Sequence, residues 1–271
     1  MHKLACPKCF EPLHIQNNSY ICSNNHCFDI AKSKYINLLL NPVKATNNPG
    51  DSKESLLARK AYLDNHYYDC ILHTVEDTIK KYQKESMHLL DLGCGQGYYT
   101  KSFQEDLGKE HTYYGLDISK VAINMATKYT KDIYWIVGNS KALPFSNQSL
   151  DIITAMFTVV NNEELERTLK DDGYIIHVTA NPNHLIEIKE LIYDEIKIKS
   201  DQYIRLPFQT IESYDLTQKV SIPCRGDALN LLMMTPHYYH IKKERRHVLD
   251  TLSSLDVTVD IKVTVYKKEE K

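Results

Sequence analysis

The sequence predicts an α/β fold built on a doubly wound, Rossmann-like parallel sheet, preceded by a small metal-held module, and three observations carry that prediction. The apolar run Leu89-Leu90-Asp91-Leu92 breaks into Gly93-Cys94-Gly95-Gln96-Gly97 and then into helix-forming residues, the strand, turn and helix that open a nucleotide-type unit. Apolar runs then alternate with stretches of helical spacing up to Ala180, as parallel strands with right-handed crossovers require. Four of the seven cysteines lie before residue 28, in a metal-ligand spacing.

In chain order, Cys6-Pro7-Lys8-Cys9 forms a first knuckle, and twelve residues later Cys22-Ser23-Asn24-Asn25-His26 forms a second, joined by a hairpin through Leu13, Ile15, Tyr20 and Ile21. Three thiolates with one more ligand, from His26 or from the adjacent Cys27, make a closed tetrahedral zinc shell with no open position for a catalytic water. A zinc-ribbon-like module of about 40 residues has too small a core to hold itself together, so the metal supplies much of its folding free energy. Breakers at Asn41-Pro42 and Asn47-Asn48-Pro49-Gly50 place a linker at 41–53, between a module of residues 1–40 and a sheet domain of residues 54–271. Asp51-Ser52 can cap a helix whose apolar positions include Leu56, Leu57, Tyr62 and Leu63, and a second helix covers Tyr68–Lys81.

After the glycine turn, Tyr113-Tyr114-Gly115-Leu116-Asp117 reads as a second strand. Its terminal Asp117 sits about 20 residues past the last glycine, placed to accept hydrogen bonds from ribose hydroxyls. The turn is G-x-G-x-G and not the G-x-G-x-x-G that seats a pyrophosphate. Together with Asp91 these features point to S-adenosylmethionine, with Gly93, Gly95 and Gly97 letting the backbone approach it. The periodicity continues with a helix near Lys120–Tyr129, a strand Ile133–Val137, a loop Gly138–Asn147 and a strand Asp151–Phe157. A helix Glu163–Leu169, a turn Asp171-Asp172-Gly173 and a strand Tyr174–Ala180 follow. Beyond it the pattern gives helices at Leu185–Lys197, Asp227–Met234 and Lys243–Ser253, a strand near Asp215–Pro223, and a last, edge strand at Val257–Tyr266.

The 271 residues carry a net charge of −2 and are 42% hydrophobic, with no uninterrupted apolar run near the ~18 residues that a membrane span needs. No secretory signal opens the chain, so the expected compartment is the reducing cytoplasm, where these cysteines serve as ligands or buried thiols. Residues 1–60 hold eight Lys/Arg against four acids, +4 against −6 for the remainder. A basic end on an acidic body points to a phosphate-bearing partner.

Several separated stretches resemble one family. They are the Cys6/Cys9/Cys22/His26 set followed by Phe28-Asp29-x-Ala31-Lys32-x-x-Tyr35, then Pro49-Gly50-Asp51-Ser52, Ala58-Arg59-x-x-Tyr62-Leu63, Gly93-Cys94-Gly95-x-Gly97-Tyr98-Tyr99-Thr100, Leu116-Asp117-x-Ser119-Lys120, Leu143-Pro144-Phe145, His184-Leu185, Arg225-Gly226-Asp227 and Met234-Thr235-Pro236. They look like the RlmA group of large-subunit rRNA guanine-N(1)-methyltransferases, and the likeness runs nearly end to end. The resemblance implies a class I methyltransferase sheet, His26 as fourth zinc ligand, S-adenosylmethionine contacts at Tyr68, Gly95, Asp117 and His184, and a guanine in a 23S rRNA hairpin loop as substrate. It is compatible with a homodimer. This chain departs from the family at Phe157-Thr158-Val159-Val160-Asn161, where a proline-containing segment is common, and at Asn139, where many such folds carry an acid. Phe157 and Tyr68 are the candidates for an aromatic pocket around the base. The sequence marks no proton acceptor. Two other readings compete: a small-molecule methyltransferase with a structural zinc, and an RNA-binding relative without turnover.

Overall fold

A computed structural model of the chain describes residues 2–40, 50–196, 206–245, 247, 249 and 252–269. The amino-terminal knuckles frame a three-stranded antiparallel ribbon, β1 (His14–Gln16), β2 (Ser19–Ile21) and β3 (Cys27–Asp29). The main sheet has eight strands: β4 (Tyr35–Asn37), β5 (His88–Leu92), β6 (Thr112–Asp117), β7 (Tyr134–Val137), β8 (Leu150–Met156), β9 (Leu169–Ala180), β10 (Gln209–Ile222) and β11 (Leu255–Lys267). Their order is β10-β11-β9-β8-β5-β6-β7-β4, parallel from β9 to β4 and antiparallel at β11 and β10. From β5 the chain winds one way through β6 and β7, then returns through β8 and β9. The switch between β5 and β8 opens the crevice where ligands of such sheets bind.

One face of the sheet packs against α1 (Lys53–Asp64), α2 (Asp69–Lys81), α3 (Tyr98–Leu107), α4 (Lys120–Ala126), α6 (Ile186–Ile192) and α7 (Arg225–Met233), through a core that includes Tyr62, Val75, Phe103, Ile123, Trp135, Ile188, Leu231 and Val259. The other face is covered differently. The crossover from β7 to β8 contains no helix, and beside α5 (Asn162–Thr168) the ribbon takes that place: Leu4, Leu13, Tyr20 and Cys22 join one core with Leu90, Tyr114, Ile136, Phe145 and Leu165. Backbone bonds stitch the two together, Ala5 N–H donating to Pro144 C=O at 2.9 Å and Ser146 N–H to Lys3 C=O at 3.0 Å. The ribbon's exit strand β4 then extends the sheet beside β7.

The expected glycine turn, first two helices and strands through Met156 are present within a residue or two. Ser52 caps α1 as anticipated, its hydroxyl accepting from Ser55 N–H at 3.1 Å. Other expectations are corrected. β11 is not an edge strand: it lies between β9 and β10, and β10 takes the edge. Its alternation of Val257, Val259, Ile261, Val263 and Val265 marks one buried face, but Thr258, Asp260 and Thr264 on the other face are buried too. Residues Asp171–Gly173 lie inside β9, which begins at Leu169 through a register shift opposite Leu150 and Ile152. α6 ends at Ile192; Lys197 and linker residues 41–49 lie outside the described residues. Within the expected Lys243–Ser253 helix the structure gives a short 3-10 turn at Lys243–Arg245 and helical residues at His247 and Leu249, while residues 246, 248, 250 and 251 lie outside the described residues.

His88 on β5 is held inside this frame, its Nδ1 3.0 Å from the Tyr114 hydroxyl. Burial, with the nearby Lys3 charge, pushes its pKa down to about 4 from an ordinary 6.5. A histidine that is harder to protonate folded than unfolded contributes fully above pH 6.5, and that contribution is lost as the pH falls toward 4. Urea midpoints of His88→Gln measured from pH 7 to pH 4.5 are therefore expected to decline less steeply than those of the parent.

Candidate functional site

Two sites take shape on this frame. In the ribbon, the ligand atoms of Cys6, Cys9, Cys22 and His26 all lie within 4.8 Å of one another. His26 Nδ1 is 3.4 Å from Cys6 Sγ and 3.5 Å from both Cys9 Sγ and Cys22 Sγ, and Cys9 Sγ is 3.7 Å from Cys22 Sγ. A tetrahedral shell with Zn–S near 2.3 Å and Zn–N near 2.0–2.1 Å has edges of roughly 3.5 to 3.8 Å, so this set fits zinc without rearrangement. Each knuckle is closed by a backbone bond, Phe10 N–H to Cys6 C=O and Asn25 N–H to Cys22 C=O, with Phe10 and Asn25 in the left-handed region. Cys27 is exposed on β3, paired opposite Ile21, and stands outside the cluster.

The second site is the crevice at the carboxyl ends of β5, β6 and β8. Its three turn glycines all have positive φ, yet for different reasons. A Cβ on Gly93 would collide with the Thr158 side chain, and one on Gly97 would lie 2.6 Å from the Trp135 ring and 2.8 Å from Ala126 Cβ. Those two serve the chain's own packing. Around Gly95 the nearest atom to such a Cβ is Arg59 Nη1 at 3.8 Å, so this backbone faces space that the chain leaves free. Next to it, Gln96 is only 1% exposed and its Nε2 has no hydrogen-bond partner. A free-faced glycine beside an orphaned buried amide is what a ligand-receiving turn looks like.

Asp117 does more than close β6. Its Oδ2 accepts from Gly95 N–H at 3.0 Å and its Oδ1 from Ser119 N–H at 2.7 Å, so one carboxylate fixes both the turn and the start of α4 while each oxygen keeps a free lone pair. Burial raises its pKa, against the pull of those two amides and the Arg59 charge. Asp91 lies deeper, 1% exposed, its oxygens accepting from Thr100 Oγ1 at 2.5 Å and Thr154 Oγ1 at 3.0 Å. Burial lifts it to about 6. It ties α3 and β8 to β5 from beneath the crevice.

Tyr68 and His184 come together across the opening, their ring centroids 6.2 Å apart, although 116 positions separate them in the chain. Tyr68 is buried against Tyr62 in an edge contact. His184 Nδ1 accepts from Asp260 N–H at 3.2 Å, which leaves the ring proton on Nε2, and burial lowers its pKa to about 4, so it is neutral at pH 7. On its outer side Phe157, 46% exposed, stacks at 5.8 Å and 26°. Asn139 stands at the end of β7, its Oδ1 accepting from Lys141 N–H. Arg59 and Gln96 are the crevice residues that sequence reasoning missed; Arg59 carried a signal only as part of the Ala58-Arg59 block.

The comparisons with known proteins follow the same division. The model described as "RlmA, N-terminal" matches residues 4–47, and that described as "Methyltransferase domain" matches residues 89–173. YxjB of Bacillus subtilis, a candidate 23S rRNA (guanine-N(1)-)-methyltransferase, is 28% identical over 97% of this chain and 96% of its own. The 23S rRNA (guanine(748)-N(1))-methyltransferase of Streptomyces fradiae is 24% identical over 97% and 95%. Over nearly its whole length the chain is similar to the RlmA family. Among solved structures, YcgJ of Bacillus subtilis superposes with a TM-score of 0.46 at 19% identity, covering 73% of this chain and 99% of its own. With a methyltransferase domain on a class I sheet and a Cys3His ribbon, the chain is an S-adenosylmethionine-dependent methyltransferase with a structural zinc.

Three expectations follow. Metal-replete protein should contain a single zinc ion, retained in Cys27→Ser and lost in Cys22→Ser, as elemental analysis can read; zinc-free preparations, or loss on substituting Cys27, would contradict the Cys3His shell. Gly97→Ala should lower stability by about 1–3 kcal/mol through backbone strain and overpacking, visible in urea unfolding. Gly95→Arg, by contrast, should leave zinc content and cooperative unfolding in place while abolishing calorimetric binding of S-adenosylmethionine.

Proposed function

We propose that this chain transfers the methyl group of S-adenosylmethionine to ring nitrogen 1 of a guanine in a hairpin loop of 23S rRNA. The observation that carries the reading is a zinc ribbon with unpaired cations fused to a methyltransferase sheet, in a chain that resembles a 23S rRNA guanine-N(1)-methyltransferase over 97% of its length. Lys8, Lys32 and Lys34 are exposed and form no ion pair with another described residue, and exposed Phe10 and Ile15 lie on the same ribbon. Free cations beside apolar side chains suit a folded RNA segment. In this reading residues 1–40 recognise RNA and residues 54–271 do the chemistry, in the cytoplasm and as a homodimer.

Asp117 is assigned to the ribose hydroxyls, the Gly93-Gly95-Gly97 turn to the amino-acid end of the cofactor, and Tyr68 and His184 to its flank. Asp91 positions the turn from below through Thr100 and Thr154. Bound S-adenosylmethionine supplies an electrophilic methyl, so what remains for the protein is to hold the acceptor nitrogen in line; positioning of this kind can supply roughly 7–11 kcal/mol of a barrier. A base in a hairpin must leave its stack to react. The exposed ring of Phe157, backed by His184, offers it a face at the mouth of the crevice.

The test is transfer of tritiated methyl from S-adenosylmethionine to unmethylated 23S rRNA, with and without RNase. RNase-sensitive incorporation mapping to guanine N1 is expected; incorporation into a metabolite in the absence of RNA would overturn the reading. Neutralising Lys3, Lys32 and Lys34 together should weaken hairpin binding and flatten its salt dependence, since each lost phosphate contact removes a log-log slope of about 0.7–0.9. Affinity for S-adenosylmethionine should not change.

A further inference from the structure

Arg59 is the cation that the fold aims at the glycine turn. It lies on α1, 29% exposed, and its guanidinium is fixed by Asp51, just ahead of the Ser52 cap, and by Met234, far along the chain. Nη2 pairs with Asp51 Oδ2 at 2.5 Å and donates to Met234 C=O at 3.3 Å. Those bonds lock the plane of the group and leave Nη1 toward Gly95, 3.8 Å from where a Cβ would sit, without a hydrogen-bond partner among the described residues. The Arg59 charge also reaches Asp117, where it opposes the rise that burial causes. A half-exposed Arg59–Asp51 pair contributes little to stability by itself. Its effect is geometric: it presents one edge of a planar, permanently charged group to an unfilled space lined by backbone.

S-adenosylmethionine carries a sulfonium, an ammonium and a single anionic group, the carboxylate of its amino-acid end. With Asp117 taking the ribose at the end of β6, the side of the crevice that remains over Gly95 is the side for that amino-acid end. We infer that Arg59 binds the α-carboxylate of the cofactor through its Nη1 edge, and that Asp51 and the Met234 carbonyl are there to orient it. Arginine suits the task better than lysine, because its planar fork matches a carboxylate and is preorganised by the bonds on its other nitrogen. The inference rests on the cofactor half of the function proposed above and not on the acceptor, so RNA plays no part in its test.

Two ligands separate a carboxylate contact from a merely structural one. S-adenosylhomocysteine has the amino-acid end; 5′-methylthioadenosine has the same nucleoside and thioether without it. By calorimetry, Arg59→Ala should weaken S-adenosylhomocysteine roughly 10- to 100-fold, the range for hydrogen bonds to a charged group, and leave 5′-methylthioadenosine within about twofold. Asp117→Ala should weaken both alike. Arg59→Lys, which keeps the charge but loses the fork, should fall between parent and Arg59→Ala for the first ligand only, and it carries the test if Arg59→Ala does not fold. Equal weakening of both ligands by the Arg59 variants would make the residue a brace between α1 and α7, and unchanged affinity for both would remove it from the site; either result overturns the inference.

Discussion

The sheet face that carries Leu90, Tyr114 and Ile136 has to be covered, and the crossover from β7 to β8 brings no helix to cover it. The ribbon does so, and much of the architecture depends on that substitution. Leu4, Leu13 and Tyr20 are each 5% exposed or less, and burying a large apolar side chain is worth about 1.5–3 kcal/mol. Their summed contribution is comparable to the net stability of an ordinary domain. A ribbon with so few apolar residues of its own keeps that surface in place only while its two knuckles are tied. The zinc shell therefore stabilises the sheet as well as the module, and β4, which leaves the ribbon to pair with β7, extends the same dependence into the hydrogen-bonded ladder.

On the opposite side of the switch point, order comes from polar groups. Two carboxylates share the work, Asp91 fully buried and Asp117 partly so. Asp91 draws α3 and β8 onto β5 through threonine hydroxyls, and Asp117 holds the Gly95 amide and the α4 amino terminus at once. Both arrangements are made by the chain's own groups, so the crevice is held in shape from within.

The local parts of this structure were legible in the sequence because local rules produce them. The G-x-G-x-G turn, the Ser52 cap and the cysteine knuckles are each written within a few residues, and each appears where expected. What depends on distant pairing was not legible. Val257–Tyr266 alternates like a strand with one face in water, yet β10 pairs along its outer side, Glu187 accepts from the Thr258 amide and hydroxyl, and Asn181 reaches Asp260. Polar residues on such a strand signal buried hydrogen bonds as readily as solvent. Asp171–Gly173 carries turn residues, but the register shift beside Leu150 absorbs them into β9. Arg59 reads as an ordinary helix-surface charge until the fold brings Asp51, Met234 and Gly95 around it.

The mouth of the crevice shows how the unusual stretch after β8 is accommodated. Without a proline to fix the backbone, the Phe157-Thr158 step needs other constraints, and two are visible. Phe157 N–H donates to Val178 C=O at 3.0 Å, which anchors the strand end to β9. Thr158 packs so closely over Gly93 that no larger residue could stand in the turn there. Phe157 itself has φ 53°, a left-handed conformation costly for a bulky side chain, and Leu185, next to His184, repeats it with φ 53°. Strain at two neighbouring positions persists only where the surroundings overdetermine it, and such positions gather at binding sites. Here both act on one pair of rings: one left-handed residue turns the Phe157 side chain outward, the other follows directly on His184, and the two rings stack where the sheet opens. The mouth is thus shaped by packing against the glycine turn, so a change at Gly93 would disturb the aromatic face through Thr158 as well as the turn itself.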